Sequence, residues 1–270
     1  MRILVAIKQV PETSQVKMDP ETGTMKREGL EAIINPLDLY ALETALRLKD
    51  IYNAHLTVIT MGPPKADKAL REAVAMGCDA AVLLSDRRFG GADTWATAYT
   101  LVQGVKKLGE FDLILCGERA TDGDTGQVGP SIAALLDLNL ATYVSQCRLM
   151  EDGRLRVERL VEEGRQVLAM PMPALLTVVK EIGSPRLPTL RGMKRARQLD
   201  IPVWHPEDIH ADLTKLGLAG SPTRVVRIAS PKVMRQTETI NAASQEDMQS
   251  AAKRFWAYLE EHHLLEASYD

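Results

Sequence analysis

The sequence predicts an α/β fold: a doubly wound parallel sheet, an additional region of antiparallel strands and a C-terminal helical extension. Over the first half of the chain, uninterrupted apolar runs alternate with helical patterns, as expected for parallel strands that helices cover on both faces. Beyond residue 141 the apolar runs are separated by turns rather than by helices, which indicates antiparallel pairing. The 270 residues, of which 45% are hydrophobic, suffice for one large core with appendages.

Four buried strands and four helices are predicted for the first half. The strands cover residues 3–7, 55–61, 80–84 and 112–116. The first helix follows Asn35 and Pro36, because proline suits the first turn of a helix. The other helices cover residues 66–75, 93–108 and 129–136. Residues 19–23, Asp-Pro-Glu-Thr-Gly, predict a turn within a small hairpin.

The second half contains four further apolar runs that predict strands. They cover residues 142–149, 155–160, 166–170 and 174–179. Residues 151–153, Glu-Asp-Gly, are the clearest hairpin turn. Residues 186–197 are basic but contain no aromatic residue, which favours a solvated face or a docking element over a nucleic-acid site. A strand at 224–228 and an amphipathic helix at about 246–262 are predicted to follow.

Charge, cysteine and histidine patterns argue against several classes of function. A formal net charge of -3 gives no general attraction to nucleic acid or acidic membranes. Three cysteines without a CxxC pair argue against a disulfide framework and a zinc or iron-sulfur site, and the histidines lack metal-ligand spacing. The apolar run at residues 3–7 is too short for a signal-peptide core or a membrane span. We therefore expect a cytoplasmic protein without membrane insertion and without a metal site.

Residues 117–130 are the strongest candidate for a ligand site. In an open parallel sheet, ligands bind beyond the carboxyl ends of the strands, where the strand order reverses, and this loop follows a predicted strand. Gly123, Gly126 and Gly129 allow close approach of the backbone, and a helix that begins near Gly129 would direct N–H groups at an anion. The pattern therefore predicts a phosphate cradle. In the alternative, Asp124 or Thr125 caps the helix and no ligand binds.

The usual motifs of nucleotide chemistry are missing from the chain. Neither GxGxxG after the first strand nor GxxxxGK[ST] occurs, which argues against a Rossmann dehydrogenase and a P-loop hydrolase. Lys8 and Gln9 follow the first strand, where a pyrophosphatase loop would be rich in serine and glycine. Asp122 and Asp124 have no histidine nearby in sequence, so capping or ribose binding suits them better than acid-base catalysis. No catalytic residue is predicted.

Several segments together carry a resemblance to one family. Residues 157–177 contain Val-x-Arg-x-x-Glu-Glu-Gly-x-Gln-x-Leu and then Pro-x-Leu-Leu-Thr. With residues 6–11, 34–38 and 60–63, this long signature resembles the beta subunits of electron-transferring flavoproteins, and the resemblance covers residues 1 to about 200. It implies an adenine-nucleotide alpha hydrolase-like fold that clamps an alpha subunit.

The resemblance also implies a bound cofactor. Simple members of the family bind AMP, whereas electron-bifurcating members bind a second FAD. Residues 90–97 and 121–130 look like the bifurcating and nitrogen-fixation-associated branch, which favours FAD over AMP. In that branch the flavin accepts a hydride from NADH and sends one electron to the partner flavin and one to ferredoxin or flavodoxin. The cofactor carries the redox chemistry, and the protein positions it.

By position in the family, the resemblance implies a set of cofactor-binding residues. The adenosine end would meet Ala6, Asn35, Asp38 and Met61, the phosphates and ribityl chain would meet the cradle, and the flavin ring would lie near Thr94 and Thr97. The full set is Ala6, Lys8, Asn35, Asp38, Met61, Gly62, Thr94, Thr97, Cys116, Asp122, Gly123, Asp124, Thr125, Gln127, Val128 and Gly129.

The resemblance further implies three parts of the chain with different partners. Residues 1–185 form the cofactor-binding domain, and residues 186–200 form a recognition loop that docks a flavin dehydrogenase through Leu190 and Met193. Residues 201–270 form an arm whose final helix packs on the alpha subunit. Two alternatives stay open: a simple carrier that holds AMP and accepts electrons from acyl-CoA dehydrogenases, and an ATP-binding stress or signalling protein of similar fold.

Overall fold

The computed structural model describes residues 1–12, 32–226 and 239–264. The chain divides into two compact units, Met1–Ile228 and Ala229–Asp270. Among the described residues, the first unit holds every strand and five α-helices, and the second holds one α-helix. No helix in these ranges has both the length and the apolar character needed to cross a membrane.

A large sheet forms the centre of the first unit. In chain order, the strands of the described residues are β1 (Arg2–Ala6), β2 (Gln9–Pro11), β3 (Ala32–Ile34), β4 (His55–Met61), β5 (Ala80–Leu84), β6 (Leu113–Gly117), β7 (Asn139–Leu149), β8 (Leu155–Val161), β9 (Gly164–Met170), β10 (Ala174–Val178) and β11 (Val203–Trp204). Nine of these strands form one sheet in the order β11-β5-β4-β1-β6-β10-β7-β8-β9. Pairing is parallel from β11 to β7 and antiparallel from β7 to β9. The predicted fold class is thereby confirmed.

Helices cover both faces of this sheet. The described α-helices are α1 (Pro36–Tyr52), α2 (Asp67–Met76), α3 (Thr94–Leu108), α4 (Val128–Leu136), α5 (Leu190–Gln198) and α6 (Gln245–Glu261). Side chains of α1 and α2 pack with Ile3 and Val5 on one face, and side chains of α3 and α4 pack with Leu4 on the other. Both faces of β1 are therefore in contact with apolar side chains, which explains its unbroken apolar sequence from Ile3 to Ala6.

The structure departs from the sequence predictions at several segments. Residues 190–198, most of which belong to the basic stretch, form helix α5 against α2. The strand predicted at 224–228 is wrong for residues 224–226, which adopt no regular structure, and residues 227 and 228 lie outside the described ranges. The turn predicted at residues 19–23 also lies outside them. The short strands β2 and β3, on either side of that stretch, pair antiparallel.

Candidate functional site

The strand order reverses between β1 and β6. From β1 the chain proceeds through α1, β4, α2 and β5 to one side of the sheet, and α3 then carries it back to β6 on the other side of β1. Because α1 and α4, the helices that follow β1 and β6, cover opposite faces, the loops after β1 and β6 diverge and leave a crevice at the carboxyl ends of the strands. The predicted cradle is one wall of this crevice.

Asp38, in the first turn of α1, joins the two strand ends. Its Oδ2 accepts a hydrogen bond from the backbone N–H of Lys8 at 2.7 Å, and its Oδ1 accepts one from the backbone N–H of Gly117 at 3.2 Å. Gly117 is required here, because a Cβ atom at this position would lie 2.5 Å from Oδ1. Asp38 therefore holds the loops after β1 and β6 at a fixed separation.

Asn35, which precedes α1, extends this connection to the cradle. Its backbone N–H donates to the carbonyl oxygen of Lys8 at 2.8 Å. Its side chain donates to the carbonyl oxygen of Arg119 at 2.9 Å and accepts from the N–H of Thr121 at 3.2 Å. Only 1% of Asn35 is exposed. Both Asn35 and Asp38 thus have their polar atoms engaged within the protein and act as a scaffold beneath the crevice.

Burial dominates the electrostatics of this scaffold. It raises the pKa of Asp38 to about 7, even though backbone N–H groups of Lys8 and Gly117 donate to the carboxylate. Burial, with a smaller contribution from the charge of Asp38, raises the pKa of the Cys116 thiol to about 12. Cys116 is therefore a buried thiol at the end of β6 and presents no thiolate to the crevice.

The cradle lies on the surface and has unpaired backbone donors. Its loop folds back through a bond from the N–H of Asp124 to the carbonyl oxygen of Ala120 at 2.8 Å, and Asp124 and Gly126 both have positive φ. Residue 127 precedes α4 and makes no capping bond, so the alternative in which Asp124 or Thr125 caps the helix is wrong. Within the described part of the chain, the backbone N–H groups of residues 125–129 have no acceptor. They are available to an anion.

Cations neutralise the acidic residues of the cradle. Lys8 Nζ lies 2.6 Å from Asp122 Oδ1, which links the loop after β1 to the cradle across the crevice. Arg119 Nε lies 3.0 Å from Asp124 Oδ1. Because these carboxylates are paired, their charge is partly compensated, and a phosphate group near the free N–H groups meets less repulsion.

The start of α3 contacts the other side of the cradle. Thr94 Oγ1 lies 3.0 Å from Gln127 Oε1, within hydrogen-bonding distance. Thr97 lies one turn further along α3, and its N–H donates to the carbonyl oxygen of Asp93 at 3.0 Å. The Asp93 side chain caps α3 and also accepts from the N–H of Thr223 at 3.0 Å. Residues 221–223 are thereby held beside the N-terminus of α3.

The structure brings most of the predicted cofactor-binding residues to this edge of the sheet. Ala6 ends β1 and Met61 ends the adjacent β4, while Gly62 donates its N–H to the carbonyl oxygen of Leu84 at 3.0 Å. Gly123 is exposed in the cradle, and Val128 and Gly129 begin α4.

Two other features of this edge escaped sequence reasoning. Tyr143 adopts a φ of 55° where the β7–β10 pairing is irregular, and its hydroxyl group approaches Gly126. No local pattern indicates this irregularity. The role of Asp93 could have been recognised, because an aspartate directly before a helical pattern is a typical N-cap.

Leu190 and Met193, the predicted partner contacts, lie away from the crevice on α5. Their side chains are 85% and 40% exposed. No group of three or more histidine, cysteine, aspartate or glutamate side chains among the described residues is arranged to hold a metal ion.

Together, the fold and the crevice define a doubly wound α/β protein with a candidate anion site at its topological switch point. The model of the electron transfer flavoprotein domain matches residues 22–209. The chain is 45% identical over 265 residues to an electron transfer flavoprotein subunit beta of Clostridium acetobutylicum, covering 98% of this chain and 100% of that protein. It is 46% identical over 266 residues to subunit CarD of the caffeyl-CoA reductase-Etf complex of Acetobacterium woodii, with the same coverage of 98% and 100%.

Protein FixA of Azorhizobium caulinodans is 42% identical over 247 residues, which cover 89% of this chain and 88% of that protein. The chain therefore belongs to the electron transfer flavoprotein family, as a beta subunit. This membership confirms the resemblance seen in the sequence and argues against the stress-protein alternative.

Proposed function

We propose that this chain binds FAD in the crevice between β1 and β6 and transfers electrons as part of a heterodimer with an alpha subunit. The observation that carries the proposal is the cradle: consecutive N–H groups at residues 125–129 without acceptors in the described ranges, beside acidic side chains that are already paired. A diphosphate needs such donors and cannot tolerate uncompensated carboxylates.

The protein's own residues would position the cofactor. Asn35 and Asp38 hold the two loops, the exposed glycine at 123 leaves room for close approach, and Thr94 with Gln127 borders the far side. The flavin supplies the hydride and electron chemistry when it is bound. No side chain at the crevice is needed as a general acid or base.

We further propose that the complex is electron-bifurcating, with NADH as the donor and ferredoxin or flavodoxin as the low-potential acceptor. Support comes from the relatives named as FixA and as a subunit of a caffeyl-CoA reductase-Etf complex. A flavin dehydrogenase, such as an acyl-CoA dehydrogenase, would dock at residues 186–200. The arm at residues 201–270 would contact the alpha subunit, because Met248, Ala252, Phe255 and Leu259 repeat at helical spacing along α6. The proposed location is the cytoplasm.

The first experiment is to measure the cofactors that co-purify with the heterodimer. The protein is denatured in acid, and FAD and AMP are separated by chromatography and quantified per heterodimer. Two FAD molecules would support the bifurcating function. One FAD and one AMP would contradict it and identify a simple carrier, and the absence of both would refute cofactor binding altogether.

A further inference from the structure

Residues 182–186 are held against the middle of α1 by a buried carboxylate and by a neighbouring arginine. Glu43 is 5% exposed. Its Oε2 accepts from the backbone N–H of Arg186 at 3.0 Å and from Nε of the same residue at 2.9 Å. Its Oε1 accepts from Arg47 Nε at 2.9 Å. Glu43, Arg47 and Arg186 together form the clamp.

The clamp fixes the backbone as well as the side chains. Arg47 donates to the carbonyl oxygens of Ile182 at 3.2 Å and Ser184 at 3.3 Å. Arg186 also pairs with Asp50 at 2.9 Å. The segment that leads to α5 is therefore bound to α1 at residues 182, 184 and 186, and these bonds oppose local opening of the segment.

Directly after the clamp, two leucines point into solvent. Leu187 is 84% exposed and Leu190 is 85% exposed, and together they form the apolar tip. On its other side the tip is held by α5, where Thr189 caps the helix and its N–H donates to the carbonyl oxygen of Ala75 at 3.3 Å. Exposed leucines between two rigid attachments can bind without first losing backbone freedom.

The clamp and the cofactor crevice share one helix. Asp38, which joins β1 to β6, lies in the first turn of α1, and Glu43 and Arg47 follow on the same helix. An α-helix is stiff over this length, so the clamp sets where the tip lies relative to the crevice.

We propose that Glu43 is a positioning residue for the redox partner: through Arg186 it holds the apolar tip in the orientation in which the partner dehydrogenase binds. This inference rests on the proposed function, which assigns docking to residues 186–200. Glu43 touches neither the partner nor the cofactor.

The test compares variants of the full-length chain in its heterodimer. Glu43→Gln keeps the shape of the side chain but removes its charge, and Arg186→Lys disrupts the clamp from its more exposed side. Arg148→Lys is the matched control, because Arg148 is exposed on β7, lies outside residues 186–200 and has no ion pair among the described residues. Leu190→Ala removes one of the two leucine side chains that form the apolar tip.

Two measurements are made on each variant. Hydrogen exchange reports on the backbone amides of residues 186–193, and steady-state electron transfer from an acyl-CoA dehydrogenase, reduced with its acyl-CoA substrate, yields KM and kcat. For Glu43→Gln and Arg186→Lys we expect exchange to accelerate by at least about tenfold. KM for the dehydrogenase should rise roughly tenfold with kcat and FAD content unchanged. Arg148→Lys should behave like the wild type.

The outcomes separate this inference from the function on which it rests. Unchanged exchange in both clamp variants would overturn the inference. So would faster exchange with an unchanged KM, provided that Leu190→Ala raises KM. If Leu190→Ala also leaves KM unchanged, or if the wild type accepts no electrons from the dehydrogenase, the docking role itself fails and the inference fails with it, whereas the cofactor measurement still stands.

Discussion

The buried carboxyl group of Asp38 should make the stability of the fold decrease as the pH rises. In the unfolded chain this group ionises near its ordinary pKa of 3.8, whereas in the folded protein burial raises the pKa to about 7. Between these values the folded state keeps a proton that the unfolded state has released. The contribution to stability is therefore complete below about pH 4 and is lost as the pH rises through about 7.

The size of the effect follows from the difference in pKa. From about pH 5 to about pH 8 the folded carboxyl group changes from protonated to ionised, while the unfolded group is ionised throughout. The free energy of unfolding falls by about 1.36 kcal/mol per pH unit while the folded group keeps its proton, and the roughly two units from pH 5 to the folded pKa of about 7 give about 2.7 kcal/mol. Asp38→Asn retains the shape but cannot ionise, so the free energy of unfolding of the wild type should fall by this amount relative to the variant.

The Asp38→Asn substitution also lowers the free energy of unfolding by an amount that does not depend on pH. Asparagine has one acceptor oxygen, so its amide nitrogen would face the N–H of either Lys8 or Gly117. Losing that bond costs about 1–3 kcal/mol. The two effects are separable, because only the first changes with pH.

Urea unfolding followed by tryptophan fluorescence, at several values from about pH 5 to about pH 8, measures the difference. Asp137→Asn is the control, because Asp137 is exposed and its left-handed backbone suits asparagine. It should follow the wild type at every pH. A difference between wild type and Asp38→Asn that stays constant across this range would show that Asp38 is ionised in the folded state, and the reasoning from burial would be refuted.

Three further predictions concern the same edge of the sheet. Gly117→Ala should lower the free energy of unfolding by about 1–3 kcal/mol, because the added Cβ atom would collide with Asp38. Gly123→Ala is the control and should leave the free energy of unfolding unchanged in the same urea titration, because no atom lies within 4 Å of its added Cβ. Lys8→Met should change the free energy of unfolding by less than about 1 kcal/mol, since its ion pair is exposed, yet should reduce retained FAD on gel filtration; equal retention would contradict its role. Maleimide labelling followed by mass spectrometry should leave Cys116 unmodified in the folded protein and modify it in urea, because burial raises the pKa of its thiol to about 12.

The sequence predicted the large parallel part of the fold well because those strands are buried on both faces. Residues 55–61 and 80–84 match β4 and β5 in full, since short apolar runs rich in β-branched residues favour a buried strand over a helix. Strand β11, two residues long, gives no periodic signal. We predicted a docking element in this region but not the helix α5. Four of its nine residues are arginine or lysine, and its packing on α2 depends on residues far away in sequence.

For the site, local pattern identified the cradle but not what supports it. Glycines and polar residues before a helix indicate an anion site in any such fold. The bond between Asp38 and Gly117, by contrast, joins residues 79 apart in sequence, and no spacing rule predicts it. The family resemblance placed Asp38 at the adenosine end of the cofactor, whereas its contacts in the structure make it a buried brace between strand ends. Direct contact with the cofactor stays a prediction.

The position of β1 in the sheet has a consequence for synthesis of the chain. This strand is synthesised before both of its neighbours in the sheet, β4 at residues 55–61 and β6 at residues 113–117. Until residue 117 has emerged, a nascent chain exposes at least one edge of a strand that is apolar from Ile3 to Ala6. Unpaired apolar edges bind chaperones or other nascent chains. Translation through the crossover helix α3 is therefore the interval in which this protein most needs protection, and a pause before residue 113 should favour aggregation.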